Sequence, residues 1–374
     1  MRLSGTGVKS YSKKAKITPT VNATLTANLY TEDFSLIQTK SISLIVKDYA
    51  SLTGLKNVIC LGDSLTEGGR FIDKSKQLLT NKVSFNGVIQ SLQGDVNNYS
   101  EGRSGWTLAQ YFSMSKSSSA YYSPFLHPAG KKYYGVVEKN ASELLLSQRG
   151  GTKSKLQAIG FNSNGYITTP TANVSVVYSI ANSRYEIWNG SAWVDAILTD
   201  TDFVFNFATY RSAWNIPATD ILYIMLGTND FRNLEPSSVL SAFSSYKTLL
   251  DQVIASAKAD NASIKIGVGI ANTYVGSDDN DGGFFNRKST RAMWEARKMK
   301  IANYDNRVGE SIYLVDWGFS FNAKSGFDKT TETPFVDYTG TEIDSLDGNT
   351  PHPGVTNNGY FPMGQTIAAF ISQF

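Results

Sequence analysis

One cysteine and two histidines are all that 374 residues contain of the side chains most used as thiol nucleophile and neutral-pH base. Cys60 therefore has no partner for an internal disulfide, and it leaves the redox compartment open. It lies between Ile59 and Leu61 and reads as a small buried residue, with nothing nearby to activate a thiolate. No apolar run approaches the length of a membrane span. The first 16 residues hold five basic side chains and no acid, but no apolar segment of the signal-peptide kind follows them. A net charge of +3 makes no case for a nucleic-acid partner. The Gly-x-Ser-x-Gly elbow of the common α/β-hydrolase layout is missing. The acidic loop Ser277-Asp278-Asp279-Asn280-Asp281-Gly282-Gly283 lacks the ligand register and terminal Glu of an EF-hand loop, so it reads as a solvated turn and no metal site is expected.

Against these absences stands Val58-Ile59-Cys60-Leu61-Gly62-Asp63-Ser64-Leu65. A continuous apolar run of this kind reads as a strand buried on both faces, as in a parallel sheet. Sites in open α/β sheets form outside the carboxyl ends of such strands, which is where Ser64 stands. Ser64 fits either a helix N-cap or a nucleophile. A serine hydroxyl needs a base, and histidine is the usual one because its pKa lies near neutrality. His127 sits in a turn-like segment, Pro124-Phe125-Leu126-His127-Pro128. His352 sits in Asp347-Gly348-Asn349-Thr350-Pro351-His352-Pro353, where a proline on each side restricts the backbone.

Two further segments end in small polar turns. Glu101-Gly102-Arg103-Ser104-Gly105-Trp106-Thr107 follows a short strand expected at 96–99. Ile221-Leu222-Tyr223-Ile224-Met225-Leu226-Gly227-Thr228-Asn229-Asp230 is another buried strand running into a turn. Acyl transfer needs donors aimed at a developing oxyanion, and a backbone N–H at Gly105 and the Asn229 amide are groups of that kind. Each also has a plainer reading: Gly105 for backbone conformation, Asn229 as a turn cap. Asp63 and Asp230 read as structural groups bonding loop backbone. Arg103 and Trp106 either line a substrate pocket or belong to a solvated loop face.

Gly62-Asp63-Ser64-Leu65, Gly105 within Gly-Arg-Ser-Gly-Trp-Thr, Gly227-Thr228-Asn229-Asp230 and His352-Pro353 occur in this order, and together they resemble the SGNH hydrolases, the GDSL esterase/lipase family. The resemblance covers residues 55–128 and 203–374. It implies a flavodoxin-like three-layer α/β/α core and a two-step ester hydrolysis without metal or organic cofactor. Ser64 would be the nucleophile and His352 the base, with the N–H groups of Ser64 and Gly105 and the Asn229 amide as oxyanion hole. The family places an aspartate three residues before the histidine, where this chain has Asn349. Asp347 is the favoured third member of the triad and Asn349 the alternative; Asp344 and Asp316 are weaker candidates. An asparagine orients the ring without stabilising imidazolium as a charge does.

The chain divides into an N-terminal β element at 1–54, a core at 55–128 and 203–374, and a β-rich insertion at 129–202. The insertion follows from the long interval between Gly105 and Asn229. Strands are expected at 21–31, 36–47, 165–169, 174–180, 185–188, 264–270 and 312–315. A type I′ hairpin is expected at Asn189-Gly190. Helices are expected at 236–259, 289–304 and 363–374, and alternation of strand and helix implies a parallel sheet. Tyr133, Tyr134, Tyr178, Tyr185, Trp188 and Trp193 form either a stacking face for sugar rings, with Trp188 and Trp193 as candidate substrate contacts, or the insertion's own core. The substrate expected is an acylated carbohydrate, most simply an acetyl ester. A lipase or thioesterase on small acyl esters is the runner-up, and an inactive glycan-binding protein on the same fold is the rival. An extracellular or virion-associated place within a longer modular protein suits such appended β modules; oligomeric state is not indicated.

Overall fold

The computed structural model describes residues 2–4, 8–10, 15–17, 23–30, 35–44, 49, 52–80, 82–95, 97–114, 116, 123–137, 148–149, 152–153, 160, 162, 165–270, 287–317, 335–336, 342–343 and 360–374. They fall into two compact units, one of residues 1–52 with 372–374 and one of residues 53–371.

In the first unit, β1 (Arg2–Ser4), β4 (Ala23–Tyr30) and β5 (Leu36–Leu44) form an antiparallel sheet in the order β1-β4-β5, and β2 (Val8–Ser10) pairs with β3 (Ala15–Ile17). The Thr, Ile, Val and Leu alternation of 21–31 and 36–47 thus yields a paired ladder from Ala23↔Leu44 to Tyr30↔Leu36.

In the second unit, β6 (Lys56–Gly62) leads into α1 (Ser64–Gly68) and α2 (Arg70–Leu78), then β7 (Val83–Asn86), β8 (Ile89–Gln90) and β9 (Tyr99–Gly102). β9 begins at Tyr99 and contains Glu101 and Gly102, so the strand expected at 96–99 is displaced toward the C-terminus. Ser100 and Glu101 hide in the core because partners meet them there, Tyr210 and Val88 in the case of Glu101. Later come β10 (Leu126–Pro128), β11 (Lys132–Val137), the short pair β12 (Gln148–Arg149) and β13 (Thr152–Lys153), β14 (Ser175–Ser179), β15 (Arg184–Trp188), β16 (Trp193–Asp195) and β17 (Phe203–Phe205). After them run α3 (Phe207–Ala213), β18 (Ile221–Met225), α4 (Thr228–Phe231), α5 (Val239–Asp260), β19 (Lys265–Ile270), α6 (Arg287–Tyr304), β20 (Ile312–Asp316), β21 (Phe335–Val336), β22 (Glu342–Ile343) and α7 (Tyr360–Ile371).

The main sheet has the order β20-β19-β18-β6-β9-β8, with β7 also on β6. All its pairings are parallel except β8 with β9. Val58, Ile59, Cys60 and Leu61 have no exposed surface, as a strand covered on both faces requires. On α5, Val239, Phe243, Tyr246, Leu250, Val253 and Ala257 recur every three or four positions and are buried along one stripe. Helices α3, α5 and α6 pack as one group, with Arg211 of α3 holding Asp260 through two bonds of 2.5 and 2.7 Å. Helices α2 and α7 pack as another, and the Ser75 hydroxyl reaches the Gly364 carbonyl at 3.1 Å.

Within 129–202 a four-stranded sheet runs in the order β11-β14-β15-β16. The β10–β17 ladder, Leu126↔Phe205 to Pro128↔Phe203, brings the two ends of this segment side by side. The expected strand at 165–169 is only a single bridge residue, Ile167. The expected type I′ hairpin is a longer loop, since Trp188 pairs with Trp193 across four residues. Asn189 keeps negative φ; its side-chain oxygen accepts the N–H groups of Ser191 at 2.9 Å and Ala192 at 2.8 Å, and Gly190 alone takes φ +106°. The local asparagine bonds replace the paired left-handed residues that type I′ demands.

Candidate active site

Gly62, the last residue of β6, is in register with Gly102 of β9 on one side and Met225 of β18 on the other. The three blocks singled out in the sequence therefore leave the sheet from the carboxyl ends of three adjacent parallel strands. Ser64 is the first residue of α1, and the N-cap is Asp63, whose carboxylate accepts the Leu65 N–H at 3.1 Å. The capping role open to Ser64 thus belongs to its neighbour. Glycine is required where α1 meets the sheet: a Cβ on Gly102 would stand 2.0 Å from the Glu67 nitrogen, and one on Gly62 2.0 Å from the Thr66 hydroxyl.

The second block forms a turn in which the Trp106 N–H bonds the Arg103 carbonyl at 3.1 Å, with Gly105 at φ +77°. Among the described residues a Cβ on Gly105 would meet nothing within 4 Å. The third block turns through Gly227, at φ +119°, into α4. Two bonds tie the third block to the second. The Asn229 amide donates to the Trp106 carbonyl at 3.0 Å, and the Asp230 carboxylate accepts the Leu108 N–H at 2.9 Å.

A buried polar layer lies beneath these turns. Arg103 has no exposed surface, and its guanidinium pairs with the equally buried Glu101 at 3.0 Å. Glu101 also accepts the Tyr210 hydroxyl and the Val88 N–H, each at 2.5 Å. The Tyr111 hydroxyl stands 2.5 Å from the Glu101 carbonyl and 2.8 Å from that of Gly62. The Arg103 guanidinium faces the rings of Trp106 and Tyr111 at 5.6 and 5.9 Å. Arg103 and Trp106, which the sequence offered either as pocket lining or as a solvated loop face, are both buried: Arg103 is held by Glu101, and Trp106 packs edge-on against Tyr111.

Burial pushes the Asp63 carboxyl up to about 7; Asp230 adds to the effect, while the Leu65 N–H, Arg232 and Lys300 oppose it. Asp230 is raised to about 6, again by burial first. Lys300 of α6 is buried and lowered to about 8 by desolvation, which the two carboxylates partly offset. Hydropathy gave no reason to single out Lys300. The signal that finds it is spacing, because it falls on the stripe Ala292, Ala296, Lys300, Tyr304 that α6 buries.

His127 lacks the character of a neutral-pH base. It is buried, its Nδ1 accepts the Tyr133 N–H at 3.0 Å, and desolvation holds its pKa down to about 3. His352, Asp347, Asn349 and Asp344 lie outside the described residues, as does the acidic loop 277–283. Asp316 forms an ion pair with Arg297. In the insertion, Tyr133, Tyr134 and Tyr185 are core residues, whereas Tyr178, Trp188 and Trp193 are half-buried. Trp188 and Trp193 are a cross-strand pair with centroids 5.8 Å apart, and Tyr166 lies 5.1 Å from Trp193. The Cys60 thiol is raised by complete burial, in keeping with an inert core residue. Among the described residues there is no cluster of three potential metal ligands and no helix long and apolar enough to cross a membrane.

No family model and no curated protein matches the sequence. Among solved structures the chain is similar to a Clostridium thermocellum family 3 carbohydrate esterase, with 12% identity, a TM-score of 0.38 and coverage of 84% of this chain and 93% of that one. It is also similar to a Corynascus thermopiles (Myceliophthora fergusii) family 2 carbohydrate esterase with a carbohydrate binding domain, at 13% identity and a TM-score of 0.35, covering all of this chain and 85% of the other. A peptidoglycan O-acetylesterase matches at 10% identity and a TM-score of 0.32, over 87% of this chain and 93% of the other. Superpositions this loose carry no argument about the chemistry here, which rests on the chain's own residues.

Proposed function

We propose that this protein is a serine esterase of the SGNH type, acting on acyl esters of a carbohydrate, with acetyl the expected acyl group. The observation that carries the reading is the convergence of Ser64, the Gly105 turn and Asn229 at the carboxyl ends of β6, β9 and β18, with Asn229 bonded to the Gly105 turn through Trp106. The two separate helix groups, α2 with α7 and α3 with α5 and α6, support the three-layer α/β/α arrangement.

In this scheme Ser64 Oγ attacks the acyl carbon while His352 takes its proton, and the carbonyl oxygen becomes an oxyanion. The Ser64 and Gly105 N–H groups and the Asn229 amide receive it. A primary amide has two N–H bonds; one of Asn229's anchors to Trp106, and the second serves the oxyanion. The oxyanion then collapses as the bond to the sugar oxygen breaks, His352 gives its proton to that departing oxygen, and water activated by the same imidazole hydrolyses the acyl-enzyme and frees Ser64. Asp347 orients His352, with Asn349 as the alternative. The scheme calls for no metal or organic cofactor.

The test is p-nitrophenyl acetate turnover by wild type and Ser64→Ala. Equal rates would leave a glycan-binding protein with an inactive core as the better description. Acetate release from acetylated xylan, pectin and bacterial O-antigens, set against long-chain esters, then addresses substrate. A preference for long acyl chains would favour a lipase.

A further inference from the structure

Two donors from different helices converge on one carbonyl at the edge of the candidate site. The Leu226 carbonyl, immediately before Gly227, accepts Lys300 Nζ of α6 at 2.6 Å and the Tyr246 hydroxyl of α5 at 3.0 Å. Lys300 Nζ also donates to the Gly269 carbonyl of β19 at 2.9 Å. One buried ammonium thus joins the carboxyl ends of β18 and β19, with its stem packed in the core and Nζ 5.3 Å from the Tyr246 ring centroid. The fit extends to the glycine of the motif: a Cβ on Gly227 would stand 3.0 Å from Lys300 Nζ, on a backbone already at φ +119°.

A buried lysine is costly unless its charge is answered, and hydrophobic residues fill core positions more cheaply. Here the charge is shared with Asp230, whose carboxylate holds the Leu108 N–H, and with Asp63, which caps the helix of Ser64. A core filler would need neither the carbonyl pair nor the acids.

We propose that Lys300, assisted by Tyr246, is a positioning residue: it fixes the Leu226 carbonyl, hence the turn 227–230, and so sets where the Asn229 amide stands relative to the Ser64 helix. Its catalytic consequence rests on the esterase reading; its structural consequence does not. Neither residue touches substrate, and both act through Asn229. Displacement of a positioned group by about 1 Å commonly lowers turnover by roughly 10²-fold, and losses of that kind fall on kcat.

The experiment compares wild type, Lys300→Met, Tyr246→Phe and Asn229→Ala, with both double variants carrying Asn229→Ala. Each is assayed on p-nitrophenyl acetate and by amide hydrogen exchange across residues 226–231. Lys300→Met should lower kcat by roughly 10²-fold with KM within about twofold, and Tyr246→Phe should lower it less. In the Asn229→Ala background both should have almost no further effect, since the group they position is gone. Additive losses, or an unchanged kcat in both single variants, would overturn the proposal. If Lys300→Met does not fold, Tyr246→Phe and its double variant decide by the same criterion. Should wild type and Ser64→Ala prove indistinguishable, the esterase reading fails and exchange decides. Faster exchange confined to 226–231 then supports the clamp, and unchanged exchange there overturns it.

Discussion

The side-chain amide of Asn229 donates to the backbone carbonyl of Trp106 at 3.0 Å, across 123 positions of sequence. This contact joins the turn of Gly105 to the turn of Asn229; in the proposed scheme the second N–H of the same nitrogen serves the oxyanion. Asn229→Ala should therefore lower kcat by about 10²- to 10³-fold on p-nitrophenyl acetate, the usual loss for one oxyanion donor. Asn229→Asp should lose as much, because a carboxylate keeps the shape but donates nothing and would face the Trp106 carbonyl. Activity retained in Asn229→Asp would remove the donor role.

Gly102 and Gly105 sit three residues apart and should respond in opposite ways to alanine. At Gly102 the new methyl would stand 2.0 Å from backbone nitrogen, which cannot yield, so Gly102→Ala should lose several kcal/mol of stability or fail to fold. At Gly105 the methyl meets nothing within 4 Å among the described residues, and what resists it there is the left-handed φ of +77°. Gly105→Ala should fold with a loss of about 1–2 kcal/mol, read from urea unfolding, while kcat drops because the turn relaxes.

Some of this was legible in the sequence and some was not, for a physical reason. β6, β18 and β19 are readable because strands buried on both faces must be apolar throughout, and α5 because one stripe must be. The strand around Glu101 was misplaced because a buried ion pair looks, residue by residue, like surface. Arg103 and Lys300 were hidden in the same way: Lys300 is answered by Asp63 and Asp230, both distant in sequence, and although Glu101 lies only two residues from Arg103, nothing local marks the pair as buried. The loop 189–192 was misjudged because side-chain bonds from Asn189 compete with the turn that its sequence favours. The link from Asn229 to Trp106 was not readable at all, since nothing local records it.

The Glu101–Arg103 pair yields a prediction about stability. Both side chains are fully buried, and Glu101 is also the acceptor for Tyr210 and Val88. Arg103→Met should cost about 3–5 kcal/mol in urea unfolding, because it strands a carboxylate in the core. Arg103→Met combined with Glu101→Gln should recover a good part of that loss, since no charge is then left uncompensated. Additive losses would show that the pair's charges are not the point.

The pH dependence of stability follows from Asp63 and Asp230. Both have folded-state values above the ordinary 3.8, at about 7 and about 6, with burial as the first cause. The folded state therefore holds two protons that the unfolded state has released, and their contribution to stability falls as pH rises from about 4 to about 7; His127, lowered by burial from 6.5 to about 3, opposes them up to about pH 6.5 but is one group against two. Lys300 has the opposite sign in a separate window: lowered from 10.5 to about 8, it makes stability rise with pH between those values. Thermal midpoints measured across pH 4 to 8 should decline, and Asp63→Asn, which retains an oxygen for the Leu65 N–H, should flatten that decline.

In the proposed scheme, variants at Asp347 and Asn349 decide which side chain orients His352. If His352 is the general base, His352→Ala should reduce kcat as severely as Ser64→Ala, because triad members act as a unit. Asp347 and Asn349 predict different pH behaviour. A carboxylate stabilises imidazolium, so Asp347→Ala should lower kcat steeply and shift the acid limb of the kcat/KM profile to lower pH, as the histidine loses the charge that favoured its protonation. Asn349→Ala should then change little. If instead Asn349→Ala causes the steep loss and Asp347→Ala does not, the ring is oriented by an amide oxygen. The same chemistry would then run on a histidine with no anionic partner, and turnover would be slower for want of that charge.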